Sequence, residues 1–362
     1  MKITVLARYG RMGASSRLRL FQFLPFLQAQ GFETRMMPFF EDTYLERLYS
    51  GRSTLGPSLH AYARQIRALP GLADQDLIWV EKEALPWLPW AFERRLLPRH
   101  VPLVSDYDDA AFHRYDMHRL GAVRRILGRK IDRVMAGSAR VLAGNAYLAA
   151  RAQGAGASTV DIVPTVVDVT HYHLAPPHSA PRAPRVGWIG TPSTWQEFLV
   201  PLLPMLHDVA KQGGARLLVV GAGQGGPDHA GADLTDHRPW REATEVARIQ
   251  EMDIGIMPLT DTPWAQGKCG YKLIQYMACG LPVIASPVGV NREIVTHGVN
   301  GYLARTEQEW RDALMRLLGD PDLRRAMGAA GRKTVEDRYS LQVWGPRVAD
   351  MLCATAESGR AR

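Results

Sequence analysis

Residues 267–301 read GKCGYKLIQYMACGLPVIASPVGVNREIVTHGVNG. This stretch predicts a helix that begins near Gly270 or Tyr271 and ends at Gly280, because glycine readily adopts the left-handed conformation of a helix C-cap. Pro282 prevents the helix from continuing, and the apolar run VIAS is typical of a short buried parallel strand. The stretch therefore predicts a loop, a helix and a strand in succession, followed by a second loop and a short helix.

The start of this predicted helix combines several groups that attract an anion. Backbone amides and the positive end of the helix dipole lie there, together with two ammonium groups. The residues concerned are Lys268, Cys269, Gly270, Tyr271 and Lys272. We interpret them as a binding site for the diphosphate of a nucleotide-sugar. The alternative is an ordinary strand–helix unit with solvated lysines.

The same stretch resembles the donor-binding motif of retaining family-4 glycosyltransferases. The motif contains a glycine loop, an AMA-x-G-x-PV-x-A segment, a small-residue loop, E-I-V and a final N-G. The residues of this chain that match are Gly270, YMACGLPVIAS, Val288, Gly289, Glu293, Ile294, Val295, Asn300 and Gly301. The resemblance implies an α/β protein of GT-B architecture, with two Rossmann-like domains whose parallel sheets face an inter-domain cleft.

Two positions depart from the family motif. The family usually carries two glutamates eight positions apart, and this chain has Gly267 and Gln275 instead. The resemblance implies that Gln275 hydrogen-bonds the ribose hydroxyls without a charge. Gly267 has no side chain with which to hold the donor sugar. We expect backbone from Val288 to Asn291 to take over that contact.

Bulk composition is that of an ordinary soluble globular protein of 362 residues, enough for two domains. No apolar run is long enough to span a bilayer, and the N-terminus is charged too early for a secretory signal. The three cysteines lack metal-ligand spacing. A cytoplasmic location is therefore expected, with contact on the inner face of the membrane as an extension of it.

Positive charge is concentrated in the first half of the chain. Residues 1–170 hold 23 Lys and Arg against 16 Asp and Glu, a net charge of +7 out of +8 for the whole chain. This excess suggests an acidic acceptor or an anionic membrane surface. Basic residues on a helix predicted over 119–136 are one candidate for the membrane contact. Nucleic acid is not an expected partner.

The alternation of strands and helices predicts two domains. We place an N-terminal acceptor-side domain at 1–168, a linker at 169–184 and a nucleotide-sugar-binding domain at 185–339. By the resemblance, a last helix at 340–355 packs back on the first domain. Long helices are expected at 17–31, 119–136 and 194–213. Ligands of such sheets lie at the carboxyl ends of the strands.

The loop after the first strand, GRMGASSRLR, lacks the glycine spacing of a dinucleotide site. Gly13 allows a tight turn there, and Ser15 or Ser16 is expected to cap the following helix. In the resembled family this loop approaches the donor phosphate and the acceptor. Arg17 is therefore a candidate phosphate contact and Arg19 a candidate acceptor contact, with solvated arginines as the alternative.

In the second domain, Gly190 and Thr191 follow a predicted strand. A glycine there lets a phosphate approach the backbone closely. The family usually places a cationic residue a few positions later, and this chain has none. Lys268 and Lys272 would then supply most of the countercharge to a leaving nucleoside diphosphate, whose charge grows in the transition state.

The run SDYDDAAFHRYD follows a strand of the first domain. Its D-x-D pattern would bind a metal in a GT-A glycosyltransferase, but we favour an acceptor-side role for Asp106, Asp108 and Asp109, with a structural cap as the alternative. His113 is a further catalytic candidate, although a lone histidine is more often structural. Glu81 and Glu83 are candidates for lining the acceptor side.

The sequence therefore predicts a metal-independent, retaining glycosyltransferase of the hexosyltransferase type. Its donor is a UDP- or GDP-sugar, with UDP favoured, and no other cofactor is expected. Its acceptor is a hydroxyl of a glycan or lipid-linked glycan of the cell surface. The alternatives are a nucleotide-sugar 2-epimerase on the same fold, a non-catalytic nucleotide-sugar-binding protein and a GT-A enzyme.

Overall fold

The computed structural model describes residues 1–174, 182–223 and 232–360. Residues 175–181 of the expected linker lie outside the described part of the chain. The chain divides into two compact units. Unit 1 comprises Met1–Thr165, Gln266–Cys269 and Trp344–Arg362, and unit 2 comprises Val166–Ala265 and Gly270–Val343.

Unit 1 is built on a six-stranded sheet in which every neighbouring pair is parallel. The strand order is β2-β1-β3-β4-β5-β6. The strands are β1 (Lys2–Tyr9), β2 (Glu33–Phe40), β3 (Leu77–Glu81), β4 (Leu103–Tyr107), β5 (Arg140–Ala143) and β6 (Val160–Ile162). Strands β3 and β4 are buried along their whole length, as expected for central strands covered on both faces.

Within residues 1–165, nine α-helices connect and flank these strands. They are α1 (Ala14–Arg19), α2 (Leu24–Ala29), α3 (Asp42–Tyr49), α4 (Leu55–Ala68), α5 (Trp90–Leu96), α6 (His113–Asp116), α7 (Gly121–Leu127), α8 (Lys130–Ala136) and α9 (Ala146–Gly154). Because each connection crosses between parallel strands, the loops that leave the carboxyl ends of β1, β3 and β4 meet at one edge of the sheet.

Unit 2 repeats this architecture with a second six-stranded parallel sheet, in the order β12-β11-β10-β7-β8-β9. Its strands are β7 (Arg185–Ile189), β8 (Arg216–Val220), β9 (Thr235–Arg238), β10 (Ile254–Met257), β11 (Val283–Ala285) and β12 (Gly301–Leu303). Buried Val, Leu, Ile and Trp side chains from both faces of this sheet form its core.

The helices of the second half of the chain are shorter before the donor motif than after it. They are α10 (Pro192–Thr194), α11 (Leu203–Gln212), α12 (Glu245–Gln250), α13 (Pro263–Gln266), α14 (Tyr271–Ala278), α15 (Asn291–Ile294), α16 (Glu307–Gly319), α17 (Pro321–Arg338) and α18 (Leu341–Arg360). Helix α14 is the one predicted from the motif, and it packs on α17 and β10.

The C-terminal part of α18 lies in unit 1. Gln30 donates a hydrogen bond to Asp350 at 2.7 Å, and Arg140 donates one to Thr355 at 2.8 Å. Gly345 lies so close to Phe26 that an added Cβ would be 2.6 Å from the ring. The last helix is therefore attached to the first sheet although it is distant from it in sequence.

Three predicted helices are broken in the structure. The helix expected over 17–31 is split into α1, a 3₁₀ turn and α2, with Pro25 at the second position of α2. The helix expected over 119–136 is split into α7 and α8 around Gly128. The helix expected over 194–213 contains a π turn and a 3₁₀ turn before α11. Proline and glycine explain these breaks, since Pro201 and Pro204 lack the amide that a continuous helix needs.

Among the described residues, no helix combines the length and the apolar character that crossing a bilayer would require.

Candidate functional site

Unit 1 gathers its charged side chains at the carboxyl edge of its sheet, around Glu81 at the end of β3. The Glu81 carboxylate accepts hydrogen bonds from the hydroxyls of Ser15 at 2.6 Å and Ser16 at 2.5 Å, and from the amide of Arg8 at 2.8 Å. Glu81 is almost completely buried. Its role is therefore to tie the loop after β1 to β3, and its carboxylate is not free to contact an acceptor.

The expectation that Ser15 or Ser16 caps a helix is wrong. Both lie inside α1, whose N-cap is Gly13 with no side-chain hydrogen bond. Gly13 itself packs against Tyr9, where an added Cβ would be 2.4 Å from the Tyr9 Cβ. The amide of Gly13 closes a turn by donating to the carbonyl of Gly10 at 3.1 Å, and close packing on Tyr9 explains why the residue is glycine. The hydroxyls of Ser15 and Ser16 donate hydrogen bonds to the Glu81 carboxylate.

Arg19 and Asp106 form a buried ion pair. The Arg19 Nε donates to Asp106 Oδ1 at 2.7 Å, its Nη1 donates to the carbonyl of Val163 at 2.7 Å, and both side chains are 1% exposed. Burial raises the pKa of Asp106 to about 6, although the Arg19 guanidinium opposes this shift. Arg19 is therefore neither solvated nor able to reach an acceptor, and Asp106 is directed into the unit.

Lys82 is the central cation of the acidic loop. Its Nζ lies 2.9 Å from Asp108 Oδ1 and 3.0 Å from Asp109 Oδ2, with Glu81 Oε1 at 4.0 Å. Burial alone would raise the pKa of Asp108, but Lys82, Ser15 and Arg19 together outweigh burial and hold this pKa below its ordinary value. The backbone of Lys82 has a φ of 65°, a region that costs energy for a residue with a side chain.

Asp108 and Asp109 differ from Asp106 in keeping part of their surface exposed, at 19% and 26% of the side chain. They are the acidic residues of the loop that remain accessible while held in place. The pairing with Lys82 also neutralises much of the charge that a metal ion would need. Within the described residues, no three His, Cys, Asp or Glu side chains are arranged to hold a metal ion.

Glu83 and His113 are held in other networks of unit 1. Glu83 is paired with Lys130 at 2.6 Å and with Arg8 at 3.6 Å, and Tyr115 donates to it. Because Glu83 is buried, the expected acceptor contact is replaced by a structural role. His113 lies between Asp116 Oδ1 and the hydroxyl of Tyr147, each 2.8 Å from a ring nitrogen. Arg17 is buried as well.

The segment Gln266–Cys269 belongs to unit 1. The Asn145 amide donates to the carbonyls of Gln266 at 3.3 Å and Lys268 at 3.0 Å. The Cys269 thiol donates to the carbonyl of Asp108 at 3.1 Å, and burial raises its pKa to about 12. This segment is thus fastened to the same loop that carries the exposed aspartates.

Close packing around Gly267 explains why this position departs from the family motif. A Cβ at this position would be 2.6 Å from the Cβ of Ala110 and 2.7 Å from its backbone nitrogen. Real Cβ atoms do not approach so closely, and one contact is with backbone that cannot swing aside. The segment therefore has no room for the glutamate that the family carries at this point.

In unit 2, the start of α14 is formed as predicted from the motif. Its N-cap is Gly270, with φ 66° and ψ 18°. A Cβ there would be 2.3 Å from Ile294 Cδ1, so both the backbone conformation and the packing require glycine. The positive end of the α14 dipole therefore lies at Gly270 and Tyr271.

Lys272 and Gly190 are brought together. The Lys272 ammonium lies 4.3 Å from the centroid of the Trp188 ring, a cation–π distance. A Cβ on Gly190 would be 2.8 Å from the same ammonium. The end of β7 and the first turn of α14 therefore place a cation beside a backbone position that lacks a side chain. Thr191 follows, and it caps α10 through a reciprocal pair of hydrogen bonds with Thr194.

Gln275 lies in a buried network of hydrogen bonds. Its amide donates to the hydroxyl of Tyr172 at 2.8 Å, and Tyr172 in turn donates to Glu245 and lies 3.0 Å from the Tyr271 hydroxyl. Trp240 donates to the other Glu245 oxygen at 2.6 Å. Gln275 is only 2% exposed. The carboxylate near this motif position comes from Glu245, which the sequence analysis did not single out.

The loop after β11 is held by its own hydrogen bonds. Asn291 is buried and donates to the carbonyl of Ser286 at 3.0 Å, and the amide of Val288 donates to the same oxygen at 2.8 Å. Gly289 has a φ of 52°. Glu293 is exposed. The Asn291 side chain is therefore used to hold the shape of the loop and does not reach outward.

Some residues of these sites escaped the sequence analysis. They are Lys82, Asn145, Tyr172, Trp188 and Glu245. Lys82 could have been suspected because it lies between two glutamates at a strand end. The others carry no motif, and only the fold brings them to the sites.

Residues 183–320 match the family model described as glycosyl transferases group 1. The chain carries a group 1 glycosyltransferase domain. This domain is most of unit 2 and includes Gly190, α14 and the loop after β11. The predicted resemblance is confirmed for this domain.

Curated relatives align with parts of the chain. One is the GDP-mannose-dependent monoacylated alpha-(1-6)-phosphatidylinositol monomannoside mannosyltransferase of Corynebacterium glutamicum, 28% identical over 216 residues, which are 54% of this chain and 56% of that protein. Another is the N-acetyl-alpha-D-glucosaminyl L-malate synthase of Bacillus anthracis, 36% identical over 72 residues, or 19% of each chain. The chain thus spans about half the length of the first relative and less of the second.

Solved structures match nearly the whole chain. Sucrose-phosphate synthase of Thermosynechococcus elongatus superposes with a TM-score of 0.68 at 16% identity, covering 97% of this chain and 98% of that one. HepE of Anabaena, in complex with UDP, gives 0.69 at 17% identity and covers 98% and 100%. At this level of identity the matches establish the fold. The predicted GT-B fold of two α/β domains with parallel sheets is confirmed, and the GT-A alternative is wrong.

Proposed function

We propose that the protein is a retaining glycosyltransferase that moves a sugar from a nucleoside-diphosphate donor to a hydroxyl acceptor. The observation that carries this proposal is the position of Lys272 beside Gly190 at the start of α14, inside the group 1 glycosyltransferase domain. A cation and the positive end of a helix dipole, beside a glycine that has no side chain, suit a diphosphate.

In the proposed reaction, the acceptor oxygen forms a bond with the anomeric carbon on the face from which the donor phosphate leaves. The bond between that carbon and the phosphate oxygen breaks, and the electron pair goes to the nucleoside diphosphate. The acceptor proton passes to the leaving phosphate. Lys272 and the helix dipole stabilise the negative charge that develops on the diphosphate.

We assign Asp108 and Asp109 to the acceptor side. They are the acidic residues of the loop after β4 whose side chains are partly exposed, and Lys82 forms an ion pair with each of them and helps to lower the pKa of Asp108. An ionised carboxylate there would orient an acceptor hydroxyl or stabilise positive charge on the sugar. The pairing with Lys82 is consistent with catalysis that does not depend on a metal, so we expect activity in EDTA.

The donor base and the acceptor are part of the proposal. From the sequence we favour a UDP-sugar, whereas the Corynebacterium relative is named as a GDP-mannose-dependent mannosyltransferase of a monoacylated phosphatidylinositol monomannoside. We therefore propose a UDP- or GDP-hexose donor, and a glycan or lipid-linked glycan as acceptor. A cytoplasmic protein in peripheral contact with an anionic membrane would suit such an acceptor.

The proposal is tested by thermal-shift measurements with a panel of nucleotide-sugars, followed by transfer assays with the donor that binds. A ligand at 100 times its dissociation constant stabilises a protein by about 2.7 kcal/mol. We expect a shift with a UDP- or GDP-sugar, and transfer to a lipid-linked glycan with retained anomeric configuration. Epimerisation without transfer would favour the epimerase, and binding without turnover for any acceptor would favour a sensor protein.

A further inference from the structure

The hairpin formed by α3 and α4 exposes an unusual number of large apolar side chains. Leu48 and Tyr49 end α3, and Leu55 and Leu59 begin α4; their exposed fractions are 47%, 68%, 67% and 62%. Leu55 and Leu59 are four residues apart and so share one face of α4. On the same stripe, Tyr62 and Ile66 pack against the core of unit 1. The stripe therefore continues beyond the core into solvent.

The charge around this apolar tip is positive. Residues 47–73 contain four arginines and one histidine, and no aspartate or glutamate. Arg47 and Arg52 flank the tip itself, and both are exposed. The acidic residues of the hairpin precede this range: Glu41 is paired with Arg64, and the Asp42 carboxylate accepts the amide of Met12 at 3.1 Å. Glu46 is the acidic residue that remains exposed on α3.

A groove adjoins the tip. It has a volume of about 210 Å³, and its lining includes the aromatic rings of Phe39, Phe40 and Tyr44 together with Pro57 and His60. The groove lies where β2 ends. The bond between Met12 and Asp42 joins this region to the loop after β1. The apolar tip is thus on the same edge of the sheet as Glu81 and Asp106.

We infer that the α3–α4 hairpin of unit 1 docks on an anionic phospholipid bilayer, with Leu48, Tyr49, Leu55 and Leu59 entering the interface and the arginines contacting lipid phosphates. Exposed apolar side chains surrounded by positive charge complement an anionic bilayer, whose headgroups are negative and whose interior is apolar. An aromatic ring such as that of Tyr49 is favoured at the boundary. This surface differs from the basic helices α7 and α8, which the sequence analysis considered.

This inference deepens the membrane contact included in the proposed function. Lipid binding is measured without any sugar transfer, so the two proposals can fail separately. The probe is flotation of the full chain with vesicles of phosphatidylcholine alone, or of an equal mixture of phosphatidylcholine and phosphatidylglycerol. We expect the protein to float with the mixed vesicles and to remain in solution with the neutral ones.

The double variant L55S/L59S removes the apolar face, and we expect its partitioning to the mixed vesicles to fall by about tenfold or more. Arg52→Glu reverses one charge at the tip, and we expect a loss of roughly tenfold that shrinks as salt is added. These side chains are exposed, so thermal unfolding of both variants should match that of the unchanged protein.

The matched control is L120S/I126S, which removes two equally exposed apolar side chains at 56% and 62% on the α7 segment. We expect this variant to float like the unchanged protein. Three outcomes would overturn the inference: no flotation with anionic vesicles, full flotation of L55S/L59S, or an equal loss in L120S/I126S.

Discussion

Gly267 stands where the resembled family carries its first motif glutamate, and the structure gives a steric reason for the exchange. The backbone passes against Ala110, at distances that admit no Cβ. The loss of the glutamate is therefore coupled to the attachment of residues 266–269 to unit 1. Donor-sugar contacts must come from other residues, and no single substitution at 267 would restore the family arrangement.

The steric claim predicts that Gly267→Ala destabilises the protein by about 1–3 kcal/mol, the usual effect of overpacking. Chemical denaturation measures the change. Gly154→Ala is the control in the same unit, because a Cβ there would meet nothing within 4 Å. Equal stability of the two alanine variants would show that Ala110 yields easily and that the steric account is wrong.

Asp106 predicts a specific pH dependence of stability. Its native pKa is raised to about 6, above the value of about 3.9 in unfolded chains. Between these pH values the native state binds more protons than the unfolded state, so this group lowers stability as the pH rises from about 4 to 6. The free energy of unfolding falls by roughly 3 kcal/mol over this range if the full difference between the two pKa values contributes.

Measuring the free energy of unfolding across this pH range isolates the effect when Asp106→Asn is compared with the unchanged protein. We expect the difference between unchanged protein and variant to decrease as the pH rises. The variant should be less stable overall if Arg19 is left as a buried unpaired charge. A difference that stays constant over the range would contradict the raised pKa.

At the scale of residues, the sequence identified where the charged groups gather but not how they pair. It singled out Glu81, Asp106 and Arg19 as candidates that face ligands, whereas the fold buries them against one another. Pairing across the sheet depends on the register of β3 and β4, which residue types alone do not reveal. Lys82 was overlooked for the same reason.

Secondary-structure elements were easier to predict from the sequence than the pairing of charged side chains. The run VIAS in the donor motif predicted strand β11, because central parallel strands are buried on both faces and therefore read as apolar runs. The short edge strand β12 was not predicted. Strand β9 was missed, since Thr235–Arg238 is the polar sequence TDHR at a sheet edge. The broken helices had visible prolines and a glycine, but an apolar periodicity that runs across such residues conceals the break.

Asn145 connects helix α9 with the segment 266–269, and its two contacts can be tested separately. Its Oδ1 caps α9 by accepting the amide of Leu148 at 2.9 Å, while its Nδ2 donates to the segment 266–269. Asn145→Asp keeps the cap and loses the donor, so we expect a loss of about 1–3 kcal/mol in stability. Hydrogen exchange should increase at 266–269 and stay unchanged in α9.

The control for Asn145 is Thr306→Ala, which removes the N-cap of α16 alone. It should cost about 1 kcal/mol and leave exchange at residues 266–269 unchanged. If Asn145→Asp is as stable as the unchanged protein, the amide contacts to Gln266 and Lys268 do not hold the segment, and the attachment rests on Cys269 and Gly267.

At the scale of the whole molecule, two similar units divide the chemistry. Unit 2 carries the group 1 glycosyltransferase domain with a cation beside a bare backbone position. Unit 1 carries the paired aspartates and the basic, apolar hairpin. The motif at 267–301 is itself shared between the units, because Gly267, Lys268 and Cys269 belong to unit 1 and the rest of the motif belongs to unit 2.

The most direct test of the account is a calorimetric titration of UDP and GDP into the protein and into Lys272→Met. The account predicts that the favoured nucleotide binds the unchanged protein and loses about ten- to a hundredfold in affinity with the variant, because a charge-assisted contact to phosphate is removed. Lys333→Met, at an exposed lysine paired with Asp337, should bind normally. Undiminished affinity of Lys272→Met would contradict the diphosphate site.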